Sequence, residues 1–167
     1  MPTFRVESGK LTVQARSRVH DTTTVWDKVH GDVEADADTL ATAGARATFQ
    51  VDMTSFDAGD WLKNRKLRKD FDMDAHPTAT FELRAVRDVV RDGAKFTATA
   101  EGVLRWRGKE VVLTLAGRGT LDDVKVEASA TFELDIKRLG LTAPRFLMIK
   151  MEDEVTVDVT VRGGVKA

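Results

Sequence analysis

The chain contains no cysteine, which excludes disulfides, thiolate nucleophiles and thiolate-bound metals. It also lacks an excess of charge of either sign: 26 Lys and Arg stand against 27 Asp and Glu, for a formal net charge of −1. Mixed signs suit a solvated surface and give no electrostatic basis for a nucleic-acid partner. No stretch approaches the ~18 consecutive apolar residues of a membrane-spanning helix. The opening Met1-Pro2-Thr3-Phe4-Arg5-Val6 lacks the basic and then apolar regions of an export signal. Read as the native start, Met1 implies a cytoplasmic protein; with an export signal already removed, the location is the periplasm.

Patterns that carry chemistry are scarce as well. Ser8, Ser17, Ser55 and Ser129 lack the flanking glycines of a nucleophile elbow, and there is no Gly-rich phosphate loop. The three histidines, His20, His30 and His76, are not paired at helical spacing, so zinc could be held only by assembly across strands. Asp70-Phe71-Asp72-Met73-Asp74 resembles the start of a calcium loop, but the required Gly and Glu positions hold Ala75 and Phe81. Asp32, Glu34, Asp36 and Asp38 alternate along a segment and read as its solvated face. No catalytic residue, metal site or cofactor is expected.

What the sequence does contain is period-two alternation, the mark of strands with one dry and one wet face. From Ala94 to Arg107 one face reads Phe96, Ala98, Ala100, Gly102, Leu104, Trp106, while Lys95, Thr97, Thr99, Glu101, Val103, Arg105 and Arg107 occupy the other. Similar segments start at Leu11, Val25, Ala45, Ala79, Glu110, Ala128 and Val155. Asp92-Gly93 and Gly108-Lys109 read as hairpin turns, which join antiparallel neighbours. Alternation fails in two places. Ala58 to Phe71 is rich in helix formers, with Asp57 placed to cap it and Pro77 beyond it. Arg138 to Lys150 is irregular. The expected fold is all-β: an antiparallel, up-and-down, eight-stranded barrel with one short helix, forming a single domain over residues 1–167. Closure removes the exposed strand edges that an open sheet would leave.

Small residues in the middle of a dry face fill little volume. Repeated on neighbouring strands, they leave a hollow lined by hydrocarbon. Alternation alone leaves open whether the interior is filled by its own side chains or holds a ligand.

The segments Pro77-Thr78-Ala79-Thr80-Phe81, Glu101 to Leu113 and Ala130 to Leu141, together with Asp153-Glu154-Val155-Thr156-Val157, resemble in order and spacing the YceI-like family. The His20-Asp21 segment is similar to one subgroup of it. The resemblance implies a lipocalin-like barrel that binds a polyisoprenoid or another long-chain amphiphile inside. It departs at Lys66, where relatives often carry His, and in lacking the export signal that many relatives have.

With that implication, the candidate cavity lining comes from the inward faces of successive strands. Phe49, Val51 and Met53 contribute from one strand, Phe81 and Leu83 from the next, and Phe96, Ala98, Ala100, Leu104 and Trp106 from the strand described first. Leu113, Leu115, Phe132, Leu134 and Val157 complete the set. His20, Lys66 and Arg68 are candidates for a ligand headgroup. The basic run Lys63, Arg65, Lys66, Arg68, Lys69 could alternatively be a solvated helix face or meet an anionic membrane surface transiently. The expected function is non-catalytic lipid binding, sequestration or transport. A filled barrel acting as an interaction module, for instance as a homodimer, and a small-molecule enzyme on the same scaffold are the rival readings.

Overall fold

The alternating segments form a ring of eight antiparallel staves in the computed structural model, which describes residues 1–146 and 148–166. The first stave is β1 (Thr3–Arg16). The second is split into β2 (Asp21–Trp26) and β3 (Val29–Ala35). One end of β1 pairs with β2, from Leu11↔Trp26 to Arg16↔Asp21, and the other with β3, from Thr3↔Glu34 to Arg5↔Asp32. Asp27 and Lys28 therefore interrupt what acts as a single stave. β4 (Ala45–Asp52), β5 (Thr78–Asp92), β6 (Lys95–Trp106), β7 (Lys109–Leu121) and β8 (Lys125–Asp135) follow as a meander. After a minor hairpin of β9 (Arg145–Phe146) and β10 (Ile149–Lys150), β11 (Glu154–Val165) pairs with β8 on one side. On its other side β11 pairs with β1, from Phe4↔Val165 to Ala15↔Val155, and the ring closes.

Local chemistry sets the turns. Arg107 and Gly108 both have positive φ, 56° and 73°, as a two-residue hairpin of the type favoured by strand twist requires. The β6–β7 turn is thus Arg107-Gly108, and the β5–β6 turn is centred on Gly93-Ala94. Each lies one residue away from its expected position. The alternation expected through Ala79, Phe81, Leu83 and Ala85 breaks before its last member. β5 carries irregularities between Leu83 and Ala85 and between Arg87 and Val90. A bulge puts two residues opposite one and flips the face of those that follow. Ala85 is consequently exposed and Val86 faces the interior.

Helical segments close the two ends. α1 (Leu40–Ala43) is a single turn, an element additional to the one helix expected. Its Leu40 is 4% exposed and packs with Phe4, Val33, Ala47, Leu121 and Val126. At the opposite end lies α2 (Trp61–Asp70), which buries Leu67. Its N-cap is Asp60, whose carboxylate accepts the Lys63 backbone N–H at 2.8 Å. Asp57, the expected cap, instead accepts from Gly59 N at 2.9 Å and Asn64 Nδ2 at 3.2 Å, bracing the loop before the helix. The helix ends well before Pro77: Asp72 takes φ 50° and Met73 turns fully inward. The irregular Arg138–Lys150 interval covers the same end, continuing from a 3-10 turn at Ile136–Leu139. Leu147, within that interval, and Ala167, at the end of the expected domain, lie outside the described residues. Among the described residues, no helix is long and apolar enough to cross a membrane.

Candidate functional site

Each stave sends alternate side chains inward, and they do not meet. They leave a cavity of about 320 Å³ that extends from Leu40 at the α1 end to Phe71, Leu139 and Leu141 at the α2 end. That is the lower part of the ~300–1,000 Å³ range of small-molecule sites. The lining is aliphatic and aromatic apart from Thr80, Arg118 and Ser129. Arg118 and Ser129 alternate with the inward Gly117 and Ala130, so their side chains belong to the outer face, where Ser129 Oγ lies 3.1 Å from Thr160 Oγ1.

Side-chain size determines where the space is. Ala98, Gly117 and Ala130 stand in register across β6, β7 and β8, forming a belt with almost no side-chain volume. The adjoining wall of β4 and β5 is bulky, with Phe49 and Phe81 stacked at 6.5 Å between centroids. At the α2 end, Phe71 meets Trp106 edge-on at 6.4 Å and Trp26 tilts against Phe56 at 6.1 Å. Both indoles are anchored: Trp26 Nε1 donates to the Met53 carbonyl at 3.2 Å and Trp106 Nε1 to that of His76 at 2.8 Å. With the polar edge satisfied, each ring presents hydrocarbon to the interior.

The structure brings Phe49, Val51, Met53, Phe81, Leu83, Phe96, Ala98, Ala100, Leu104 and Trp106 together on this one surface, with Leu113, Leu115, Phe132, Leu134 and Val157. Gly102, expected to add empty space beside Ala100, does not line the cavity. The Phe81 ring lies across it, and a Cβ there would collide with Phe81 Cζ and come within 2.6 Å of the Glu82 carbonyl oxygen. The headgroup candidates are less unified. His20 sits in the β1–β2 connection at the α2 end, its carbonyl accepting from Ser17 Oγ at 2.6 Å. Lys66 pairs with Asp70 at 2.9 Å. Arg68 is committed to Asp74 at 2.7 Å and the Thr54 carbonyl at 3.2 Å, and its guanidinium lies over Phe56. None of the three lines the cavity.

Several lining residues stand outside any apolar alternation in the sequence. Gly117 has no hydropathy to register, and Leu40, Phe71, Leu139 and Leu141 come from non-alternating segments. Leu11, Val13, Val155 and Val159 lie on the apolar faces of segments recognised as strands, and Val155 and Val159 share theirs with Val157, so alternation alone places them inward.

The groups whose acidity the fold shifts all lie off the cavity. Hydrogen bonds from the Thr54 hydroxyl and then its backbone N–H hold Asp52 below its ordinary value. Arg105 does the same for Glu82 on the outer wall. Among the described residues, no group of three His, Asp or Glu is placed to hold a metal ion. The interior can do one thing well, which is to exchange water for hydrocarbon.

Comparison with known structures returns the same barrel. The chain superposes on a polyisoprenoid binding domain from Saccharophagus degradans, implicated in plant cell wall breakdown. The TM-score is 0.80 at 14% identity, covering 99% of this chain and 100% of that one. BcnA of Burkholderia cenocepacia matches with a TM-score of 0.73 at 22% identity, over 92% of this chain and 95% of its own. The Campylobacter jejuni YceI protein matches at 0.71 and 12%, over 91% and 90%. At such identities these likenesses speak for the fold. No curated protein matches the sequence. The family model for the YceI-like domain matches residues 4–162, nearly the whole ring from β1 into β11, and the chain therefore belongs to the YceI-like family.

Proposed function

We propose that this protein binds a long-chain apolar or amphipathic lipid, of the polyisoprenoid or fatty-acyl class, inside the barrel and sequesters or carries it without chemical change. The observation that carries this reading is the end-to-end hydrocarbon cavity, whose small belt at Ala98, Gly117 and Ala130 leaves room that no side chain among the described residues fills. Affinity comes from removing ligand methylenes from water, at about 0.8 kcal/mol each, offset by the cost of association. The fold shared with a polyisoprenoid binding domain supports the ligand class.

Loading at an anionic membrane surface is the accompanying proposal. Trp61 and Leu62 are 67% and 63% exposed at the start of α2, next to Lys63 and Arg65. An amphipathic aromatic beside basic side chains is the combination that settles at a lipid headgroup layer. Lys63 Nζ also lies 5.8 Å from the ring of the buried Phe146, so the basic end of α2 packs against β9.

The test is extraction and mass analysis of lipid from the purified protein, followed by titration with a homologous series of alkyl ligands. Each two added methylenes should tighten Kd by about 15-fold until the cavity is full. Affinity independent of chain length would overturn the proposal.

A further inference from the structure

A second, polar recess lies at the α2 end, bounded by Lys66, Asp70, Arg107, Thr142 and Arg145. It shares one wall with the hydrocarbon cavity: Leu141, 5% exposed, lines both. Arg107 ties the two together. Its Nη1 donates to the carbonyl of Phe71, whose ring closes the cavity at this end. Its Nε is buried and has no hydrogen-bond partner among the described residues. A buried guanidinium N–H without an acceptor is costly and calls for one. Of the cations here, Lys66 is neutralised by Asp70 at 2.9 Å, whereas neither Arg107 nor Arg145 forms an ion pair among the described residues. The recess therefore has positive charge to spare and a donor fork suited to a planar or tetrahedral oxyanion.

We propose that this recess is the headgroup seat for an anionic amphiphile, a lipid phosphate or carboxylate, whose tail passes Leu141 and Phe71 into the barrel. The proposal rests on the lipid-binding reading above and adds the headgroup class to it. Arg107 supplies the buried donor and Arg145 the outer charge. Arg68 and His20 lie outside the recess and take no part.

The experiment compares an alkyl phosphate with the alcohol of the same chain length, in the unmodified protein and in Arg107→Asn and Arg145→Gln. Asparagine favours the positive φ that Arg107 adopts, so Arg107→Asn is compatible with the turn, and unchanged thermal unfolding confirms it. The unmodified protein should bind the phosphate about tenfold or more tightly than the alcohol, a charge-assisted hydrogen bond's worth. Arg107→Asn should bring that ratio close to one, and Arg145→Gln should reduce it partway. Inorganic phosphate at millimolar concentration should lower the ratio if the seat recognises the oxyanion itself. A ratio of one in the unmodified protein, or a ratio untouched by Arg107→Asn, overturns the headgroup seat and leaves the barrel reading standing. Failure of both ligands to bind overturns the barrel reading.

Discussion

Leucine at position 117 is expected to block the cavity while leaving the barrel intact. Gly117 faces inward at the centre of the small belt, and a Cβ built there meets only the carbonyl oxygens of Ala98 and Ser129, at 3.8 and 3.9 Å. That is ordinary contact, so the first carbon fits without moving the wall, and the rest of the side chain enters the void. Four added carbons displace about four ligand methylenes, or ~3 kcal/mol at ~0.8 kcal/mol each, which weakens Kd about 200-fold. Stability should hold or rise, since a strand glycine is less stable than alanine by about 0.5–1 kcal/mol. Gly119→Ala, two residues along the same face, is the control. Its Cβ collides with the Glu127 carbonyl oxygen and lies 2.9 Å from Ala128 Cα, both backbone atoms of β8. That variant should lose roughly 1–3 kcal/mol of stability. Calorimetric titration with a long-chain alkyl ligand, alongside thermal unfolding, reads both effects. A folded Gly117→Leu protein with unchanged affinity would refute the placement of the ligand. An unfolded one would refute the claim that the space beside Gly117 is empty.

Two further outcomes follow from surface groups. Asp52 caps the turn at Met53–Ser55 with a lowered pKa; a depressed carboxylate contributes stability that is complete above its unfolded value and is lost as pH falls through the folded one. Asp52→Asn should therefore lower the thermal midpoint at neutral pH and narrow its difference from the unmodified protein as pH drops below 3.8, and parallel curves down to pH 2 would refute this. For the membrane contact, Trp61 emission should shift to the blue on adding anionic vesicles, and Lys63→Glu with Arg65→Glu should abolish the shift; equal shifts on neutral vesicles would remove the electrostatic part of the proposal.

Most of the ring could be read directly from alternation, because an interior that excludes water imposes it on every stave. What could not be read depends on partners in space. The switch from Ala85 to Val86 comes from a bulge fixed by pairing with Glu101 and Ala100 on β6, which β5 alone does not encode. Gly102 looked like Ala98 and Ala100 in sequence, yet the Phe81 ring covers it. Asp57 and Asp60 are equally good caps by residue type, and only the loop's hydrogen bonds, Asn64 to Asp57 among them, separate their roles. The residues of the polar recess come from α2, a hairpin turn and an irregular interval, three places with no shared periodicity.

The ring is closed by its most distant segments, with Phe4 facing Val165. During synthesis at ~5–20 residues per second, the first stave waits on the order of ten seconds for its last neighbour to emerge. Through that interval β1 presents an unpaired edge to any other nascent chain, joined by β8 once β8 has emerged, and folding must await a contact of the longest range the chain offers. The seam that removes every edge from the finished barrel is thus the step most exposed to misassociation while it is being made, and refolding yield should fall steeply with protein concentration.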